Sequence, residues 1–386
     1  MNRFLLPCVA ALSLFSCSKK DNSSAIEPHN YSLEILDSLQ IDYLGDLWIQ
    51  DYDSISQSYL AKGNGDMEFM ILDADGMTLA TLEFPSDGPY AFYGAITPIG
   101  LRDGEIEFHV MNQGFFRYDF NGNRIWQYKL PFFYFYINEL SGDAIYPLGD
   151  DEIAFIRPEH AEVVSDKSQT SIFKGIYGQP ILQVFDTVSN SSRETMAFPP
   201  NSMYNDGNFN YWMFPTIIRS GKEWILYFRN EMKFWVYKEE GREVNFEREV
   251  SLEVDDAIKA IGVPFEKEEE YSELTKNNFP GTIREIYRST DKTLVIYTKG
   301  ISEELSREIN RDESDGLREL EKLKKNYVAV FDGEFNLLKN DIPVPEGLEF
   351  SRVLTEKGEI LALKNQDYFG VEEEFVIYYK LKLLNE

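Results

Sequence analysis

A repeated pair of short apolar segments, joined by an Asp/Asn-Gly turn, constrains the fold of this chain more than any other feature. The two clearest copies carry the turns Asp-Ala-Asp-Gly and Asp-Phe-Asn-Gly, at residues 73–76 and 119–122. Asn and Gly adopt the positive φ that a tight hairpin needs, so each copy predicts two antiparallel strands. Weaker copies follow at residues 181–199, 233–246 and 327–343. The chain is therefore predicted to be all-β.

The spacing of these hairpins indicates a β-propeller. Successive copies begin about 45 to 95 residues apart, a period typical of blades with four short strands, the longer intervals carrying insertions. Counting the hairpins gives six blades, and the last unit, within residues 350–383, shows only three strands. The alternating segment at residues 31–36 has no hairpin partner. We expect it to complete the last blade and close the ring, which places the propeller domain at 31–386.

Two segments are predicted to be helical insertions. One is short, at residues 255–261, and the other is a charged segment at residues 302–325 that Gly316 divides. The longer one carries a narrow apolar stripe, formed by Leu305, Ile309, Leu317, Leu320 and Leu323. We expect this stripe to pack on the rim of the propeller, and a helical partner is the alternative.

The first residues have the pattern of a bacterial lipoprotein signal. Arg3 precedes an apolar segment at residues 4–15, and Ser16 is the small residue that a signal peptidase needs beside its cut. The segment is shorter than the ~20 apolar residues that span a bilayer, and it contains Pro7. Residues 1–17 are therefore predicted to be a signal peptide and lipobox, with Cys17 as the lipidated residue.

A polar segment without periodicity, at residues 18–30, is predicted to be a flexible tether. The predicted location is the outer membrane, lipid-anchored, on the cell surface or the periplasmic face. The chain has two cysteines, Cys8 and Cys17, so no disulfide is expected in the mature protein. The net charge of -28 repels phosphates and makes nucleic acid an unsuitable partner.

The lipobox, the acidic composition, the Asp-x-x-Gly hairpins and the chain length together resemble the DUF4221-like group of Bacteroidetes propeller lipoproteins. The resemblance covers nearly the whole chain. It implies an outer-membrane or cell-surface lipoprotein with a six-bladed propeller, and it carries over no catalytic residue.

A search of the sequence for catalytic and metal-binding patterns yields no candidate. The chain has three histidines, and none lies in an H-E-x-x-H or comparable arrangement. Asp73 and Asp75 alternate as Ca²⁺ ligands can, but the rest of a calcium loop is absent and a hairpin turn is favoured. No catalytic residue, metal site or cofactor is therefore assigned.

Aromatic residues give the better binding candidate. Tyr204, Phe209, Tyr211 and Trp212 alternate with turn-forming Asn and Gly, a mixture that presents flat rings and amides to a sugar or a peptide. The alternative is a connection between blades whose rings pack into the core. The run at residues 132–136 is continuously apolar and is assigned to a buried inner strand, with Tyr134 or Tyr136 reaching the central channel.

Two classes of function remain open at this point. The first is a tethered binding or scaffold propeller whose partner is an envelope protein or a glycan. The alternative is an envelope hydrolase that acts on carbohydrate, for which two carboxylates about 5 to 10 Å apart in a deep pocket are required. Whether the protein is an enzyme is left open, and a non-enzymatic role is favoured.

Overall fold

The computed structural model describes residues 30–65, 68–85, 87–88, 91–93, 96–135, 143–149, 151–160, 169–309 and 316–385. The predicted signal segment with Cys17, and the predicted tether up to residue 29, lie outside the described residues. In the described part of the chain no helix is long and apolar enough to cross a membrane.

Six four-stranded antiparallel sheets form the blades of a β-propeller. Strand β1 spans Tyr31–Ile41. Blade 1 consists of β2 to β5, at Trp48–Asp53, Ser58–Lys62, Glu68–Leu72 and Thr78–Glu83. Blade 2 consists of β6 to β9, at Ile96–Arg102, Glu105–Val110, Gly114–Asp119 and Arg124–Tyr128. Blade 3 contains β11 (Tyr146–Leu148), β12 (Glu152–Ile156), β14 (Leu182–Asp186) and β15 (Ser191–Thr195). Two short strands outside the blades, β10 (Tyr134–Phe135) and β13 (Glu159–His160), pair with each other.

The remaining blades continue in the same order. After β16 (Asn208–Phe209), blade 4 contains β17 to β20, at Pro215–Ser220, Glu223–Phe228, Lys233–Glu240 and Glu243–Ser251, and β21 (Val263–Pro264) pairs with β16. Blade 5 contains β22 to β25, at Phe279–Arg288, Lys292–Ile301, Asn326–Asp332 and Leu337–Pro343. Blade 6 contains β26 (Leu348–Leu354), β27 (Glu359–Lys364) and β28 (Val376–Asn385).

Strand β1 supplies the fourth strand of blade 6, as predicted. The sheet order is β1-β28-β27-β26, and the pairing extends from Tyr31 opposite Asn385 to Ile41 opposite Val376. Leu33, Leu39 and Ile41 are buried, so this strand is held by its side chains as well as its backbone. The first strand of the chain thus pairs with the edge of the last blade and closes the ring. Without β1, strand β28 would expose unpaired backbone donors and acceptors.

The predicted Asp turns are hairpins that their first aspartate stabilises. Asp73 Oδ1 accepts the backbone N–H groups of Asp75 at 2.9 Å and Met77 at 2.8 Å. Asp119 and Asp332 accept equivalent bonds in blades 2 and 5. In these turns the aspartate oxygens accept hydrogen bonds from backbone N–H groups that would otherwise bond to water. The hydrogen bonds to Asn336 and Glu334 contribute to a lowered pKa of Asp332, against the opposing effect of partial burial.

The connections between strands give the propeller two different faces. Neighbouring strands of a blade are antiparallel, so the first-to-second and third-to-fourth connections lie on one face, which we call the hairpin face. The second-to-third connections and those between blades lie on the opposite face, which we call the insertion face. The paired short strands β10 and β13, and β16 and β21, all belong to the insertion face.

Every described helix also lies on the insertion face, because each one interrupts a second-to-third or an inter-blade connection. The α-helices are α1 (Gln169–Ile176), α2 (Tyr271–Thr275), α3 (Glu303–Glu308), α4 (Gly316–Leu323) and α5 (Gln366–Phe369), and the 3-10 helices span Met203–Asn205 and Phe265–Glu270. The hairpin face, in contrast, is built from short turns.

The helix predicted at residues 255–261 is wrong, because this segment is a turn followed by irregular backbone. The Ile258 N–H donates to the Lys299 carbonyl at 2.8 Å, and the Ile258 carbonyl accepts from the Gly281 N–H at 2.8 Å. The backbone of this residue therefore bonds to blade 5, which leaves it unable to make helical bonds. Short helices follow instead at Phe265–Glu270 and α2.

The predicted longer helix consists of two short ones, α3 and α4, and Gly316 begins the second. Ser302 caps α3 by accepting the Leu305 N–H at 3.4 Å. Of the predicted apolar stripe, Leu320 is buried, whereas Leu305 and Leu323 are exposed. Of these three residues, Leu320 is therefore the point at which the stripe is buried.

Candidate functional site

A cavity of about 210 Å³ lies on the propeller axis. Inner strands β2, β17, β22 and β26 line it, together with the segment that precedes β11. Four of its ionisable lining residues come from separate parts of the ring, namely Asp51, Asp143, Glu285 and Arg352. We call this space the axial cavity. Three carboxylates and the Arg352 guanidinium close to the axis make it a polar site.

Irregular backbone in the inner strands places these side chains. The pairing of β2 with β3 shifts between Ile49 and Asp51, and the pairing of β22 with β23 shifts between Ile283 and Glu285. Strand β26 has a longer irregularity that includes Arg352. A bulge adds one residue to a strand and redirects its neighbours, and bulges are frequent beside active sites. Charged residues can therefore face the axis while the flanking apolar residues keep their places in the core.

Arg352 is the centre of the axial charges. Its Nη2 donates to Asp143 Oδ1 at 3.3 Å, and its positive charge also acts on Asp51 and Glu285. A quarter of its side-chain surface, 25 %, remains accessible, and it faces the cavity. One guanidinium thus holds together carboxylates that would otherwise repel one another.

Asp51 bridges blades 1 and 2 through its two carboxylate oxygens. Oδ2 accepts the Leu101 N–H at 2.7 Å, and Oδ1 accepts the Tyr52 N–H at 2.9 Å. Burial raises the pKa of Asp51 to about 6 even though Arg352 favours its charged form, and the nearby Asp143 carboxylate adds to the increase. At neutral pH Asp51 is therefore an anion that takes up a proton more readily than an ordinary aspartate.

Gly100 provides the room for two of these carboxylates. A Cβ at this position would lie 3.1 Å from Asp51 Oδ2 and 3.6 Å from Asp143 Oδ1. A side chain at position 100 would therefore push Asp51 from its position. The glycine is needed here for close approach, since its φ does not lie in the left-handed region.

Glu285 is the most deeply buried acid of the site, with 8 % of its surface exposed. Tyr227 donates a hydrogen bond to Glu285 Oε2 at 3.4 Å. Burial raises the pKa of Glu285 to about 7, although the charges of Arg352 and Arg229 act in the opposite direction. Charged and neutral forms of this carboxyl group therefore have similar populations near neutral pH, a property that is frequent at functional sites.

A series of ion pairs extends from blade 2 to the axial cavity. Arg117 Nη2 lies 2.5 Å from Glu107 Oε1, and Arg102 Nη1 lies 3.5 Å from Glu107 Oε2. Arg102 Nη2 lies 3.7 Å from Asp143 Oδ2, which connects this series to Arg352. Burial raises the pKa of Glu107 against the opposing charges of both arginines. The axial charges are thus part of a network that extends into the blade.

A second cavity, of about 370 Å³, opens on the insertion face between blades 5 and 6. We call it the insertion-face cavity. Its lining includes Glu285, so this residue connects it to the axial cavity. It also includes five cationic side chains, namely Arg229, Arg284, Lys322, Lys324 and Lys325. For a chain with a net charge of -28, this concentration of positive charge is unusual.

The aromatic residues predicted to bind a ligand belong to one cluster on the insertion face. It contains Phe173, Tyr177, Phe209, Tyr211, Trp212, Phe265 and Tyr271, with ring centroids about 5 to 6 Å apart. We call it the aromatic cluster. Phe209 and Tyr204 are each only 2 % exposed, and Tyr204 packs in the neighbouring core. The ligand-binding prediction therefore depends on Tyr211 and Trp212.

Tyr211 is the most accessible ring of the four, with 44 % of its surface exposed. It stacks on Tyr271 with the centroids 5.8 Å apart and an angle of 17° between the planes. Its backbone has a φ of 63°, an uncommon conformation for a bulky residue, and Tyr177 holds it through a hydrogen bond to the Tyr211 carbonyl. Such strain is typical of ligand-contacting segments.

The apolar run at residues 132–136 does not form an inner strand. Phe133 is exposed, and Tyr134 and Phe135 form β10, which pairs with β13 on the insertion face. The inner strand of blade 3 is β11 instead. Tyr134 is buried and its hydroxyl lies 2.7 Å from His109 Nε2, so this histidine has a structural partner. Tyr136 lies outside the described residues.

Sequence reasoning missed the four axial residues. In β22 a charged pair, Arg284 and Glu285, interrupts an apolar strand, and Asp51 and Arg352 lie similarly among apolar neighbours. That interruption was the available signal, but it does not reveal that the residues meet. Within the described ranges no group of three or more His, Cys, Asp or Glu side chains is arranged to hold a metal ion.

The comparisons with known proteins concern the fold. No protein-family model matches the sequence, and no curated protein matches it. The structure is similar to a DUF4221 family member from Bacteroides vulgatus, with a TM-score of 0.61 and 11 % identity, covering 93 % of this chain and all of the other. A Bacteroides fragilis protein described as a candidate exported protein is also similar, with a TM-score of 0.53 and 11 % identity, over 91 % of this chain and 95 % of the other. The expected resemblance to DUF4221 propellers is thus confirmed at the level of the fold.

Proposed function

We propose that this protein is a binding or scaffold propeller of the bacterial cell envelope. Its insertion face would meet a glycan or an envelope protein. The observation that carries the proposal is the asymmetry of the two faces, since all described helices and paired short strands lie on one of them. Elaborated loops on a rigid scaffold are where proteins place binding residues. The candidate exported protein with a similar fold supports an envelope location.

The position at which the chain enters the propeller indicates how the domain would be oriented relative to the membrane. Tyr31 pairs with Asn385 at the end of β28, on the hairpin face. A tether that ends at a lipidated Cys17 would leave from there, so the hairpin face would point toward the membrane and the insertion face away from it. Palmitate labelling of cells that express the protein tests the anchor. We expect labelled protein from the parent and none from Cys17→Ala, and label on the variant would contradict the proposal.

The aromatic cluster is our candidate for glycan recognition. Tyr211 and Tyr271 present stacked rings, and sugars bind aromatic faces because their apolar C–H groups pack against them. The exposed fraction of Tyr211 leaves part of one ring available. Trp212 contacts Tyr211 with the centroids 6.1 Å apart, and it supports this platform from within the cluster.

A glycan array with the mature protein tests this assignment. We expect Tyr211→Ala to lose binding to the glycans that the parent retains, because it removes the exposed ring. The matched control is Tyr93→Ala, which removes a tyrosine that is 77 % exposed and lies far from the cluster in the chain. Equal binding by parent and Tyr211→Ala, or the absence of any glycan ligand, would remove the glycan assignment.

One observation favours the second candidate function, an envelope carbohydrate hydrolase. Asp51 and Glu285 line the same axial cavity, and burial raises their pKa values to about 6 and about 7. An acid of raised pKa beside an ionised carboxylate is the pairing that glycoside hydrolysis uses. Hydrolysis of aryl glycosides by the parent, lost in both Glu285→Gln and Asp51→Asn, would support this function. The absence of hydrolysis by the parent on a broad aryl glycoside panel would count against it.

A further inference from the structure

We propose that the insertion-face cavity is a binding site for a small oxyanion, the carboxylate or sulfate group of an acidic saccharide, and that Arg229 and Arg284 recognise it. This site is distinct from the aromatic cluster and does not rest on glycan binding there.

The two arginines are the guanidinium groups of the cavity that pair with no described carboxylate. Arg229 follows β18 and is half-buried, and Arg284 is the extra residue of the bulge in β22. Among the described residues neither guanidinium has a hydrogen bond or an ion pair within 4.0 Å. Both act on Glu285 only through the longer-range Coulomb interaction. Unpaired guanidiniums in a concave site suit a planar anion, since they can donate two parallel hydrogen bonds to it.

Most of the carboxylates that line the cavity already have partners. Glu321 Oε1 lies 2.5 Å from Lys324 Nζ, and Glu346 accepts from the Tyr368 hydroxyl at 2.5 Å and lies 3.8 Å from Lys325. These contacts occupy two of the lysines as well as the two glutamates. The two arginines therefore remain for an incoming anion, together with Lys322, whose Nζ lies 5.6 Å from the centroid of the Tyr368 ring.

Burial raises the pKa values of the other two acids at the cavity. Glu349 accepts a hydrogen bond from Asn365 Nδ2 at 2.5 Å, and burial raises its pKa. Glu285 has a raised pKa for the same reason. Near neutral pH Glu285 therefore repels an anion less than an ordinary glutamate would.

Several charged and titratable groups act on Glu285 from the elements that pack around it. They are Tyr227, Arg229, Arg284, Tyr287 and Arg352, and Glu349 lines the same cavity. An anion beside Arg229 and Arg284 would offset the positive charge that favours ionised Glu285. Binding should therefore be accompanied by proton uptake and should strengthen as pH falls through about 7.

The size and surroundings of the cavity restrict the ligand. A volume of about 370 Å³ suits a small molecule, or one or two saccharide units. The chain's strongly negative total charge repels extended polyanions such as nucleic acid, whereas a short acidic saccharide needs only the local cations.

Isothermal titration of the mature protein with glucuronate, inorganic sulfate and glucose tests the proposal. We expect glucuronate or sulfate to bind and glucose not to bind. Arg284→Gln and Arg229→Gln should each weaken binding by about tenfold or more, because each removes a charge-assisted contact. The matched control is Arg307→Gln, since Arg307 is exposed on α3 and pairs with the exposed Glu303. The affinities for glucuronate and for sulfate show whether the site prefers a carboxylate or a sulfate group.

The outcomes also separate this proposal from the glycan proposal. Anion binding that survives Tyr211→Ala but not Arg284→Gln would support the cavity whatever the glycan array shows. Equal affinity of parent, Arg284→Gln and Arg229→Gln would overturn it, as would the failure of both anions to bind. A Glu285→Gln variant that keeps the parent's pH dependence of anion binding would overturn the coupling to Glu285.

Discussion

Arg352 donates from Nη2 to Asp143 Oδ1 at 3.3 Å, across 209 positions of the chain. The two residues come from blade 6 and from the segment before blade 3, on different sides of the axis. This bond joins the network that enters from blade 2 to the carboxylates that face the axial cavity. It shows that the centre of the propeller is held by charge as well as by apolar packing.

Replacing Arg352 should strongly destabilise the fold. Arg352→Met leaves Asp51, Asp143 and Glu285 close together without their common counter-charge. Because Arg352 and Asp143 are only partly buried, we expect a loss of about 2–4 kcal/mol, somewhat below the cost of breaking a fully buried ion pair. Urea unfolding at neutral pH measures the loss. Arg307→Met, which removes an exposed arginine from α3, should change stability by less than about 1 kcal/mol. Similar losses in the two variants would show that the axial charges are not coupled.

The pH dependence of stability should identify Glu285. Its folded pKa of about 7 lies above the unfolded value of about 4.3, so the folded state binds the proton more tightly. The stability that this group contributes is complete below about pH 4.3 and is lost as pH rises through about 7. Glu285→Gln mimics the neutral form, so relative to the parent it should gain on the order of 2–3 kcal/mol above about pH 7.5.

Denaturant unfolding of both proteins across this pH range checks the prediction. The stability difference between Asp332→Asn and the parent should have the opposite pH dependence. The pKa of Asp332 is lowered, so the stability that this group contributes is lost as pH falls. A difference between Glu285→Gln and the parent that does not vary with pH would contradict the assignment.

Tyr378 should be important for ring closure. Its hydroxyl accepts the Ile49 N–H at 2.7 Å and donates to the Leu47 carbonyl at 2.9 Å, which connects β28 of blade 6 to the start of blade 1. Tyr378→Phe leaves a buried donor and a buried acceptor unpaired, at a cost of about 1–3 kcal/mol. Tyr379→Phe, one residue along the same strand, should be nearly neutral. Thermal unfolding distinguishes the two, and an equal effect would argue against this connection.

Gly100→Ala should disturb the axial site. The added methyl group would lie 3.1 Å from Asp51 Oδ2, and we expect a loss of about 1–3 kcal/mol as Asp51 moves. Gly175→Ala in α1 is the matched control, because nothing lies within 4 Å of its Cβ position and alanine favours a helix. If Gly100→Ala is as stable as the parent, the carboxylates have more freedom than the structure indicates.

Local sequence patterns were sufficient for much of the fold. The Asp-x-x-Gly hairpins, the six blades and the closing strand β1 are all confirmed, since turn chemistry and alternation act over only a few residues. The helix at 255–261 failed because Ile258 bonds to the distant residues Lys299 and Gly281, and no local pattern records those partners. The inner strand assigned to residues 132–136 failed for a related reason, because an apolar run does not specify which strand it will pair with.

The sequence by itself determined the hairpins and the number of blades, because both follow from interactions between near neighbours. Only the tertiary structure decided where the charges meet. Asp51, Asp143, Glu285 and Arg352 appear in sequence as isolated polar residues in separate strands, and ring closure brings them to one axis. Their pKa values follow from that meeting, since burial and mutual charge exist only when the blades surround the cavity. The same closure places the aromatic cluster and the insertion-face cavity on one face, opposite the end where the chain enters the propeller.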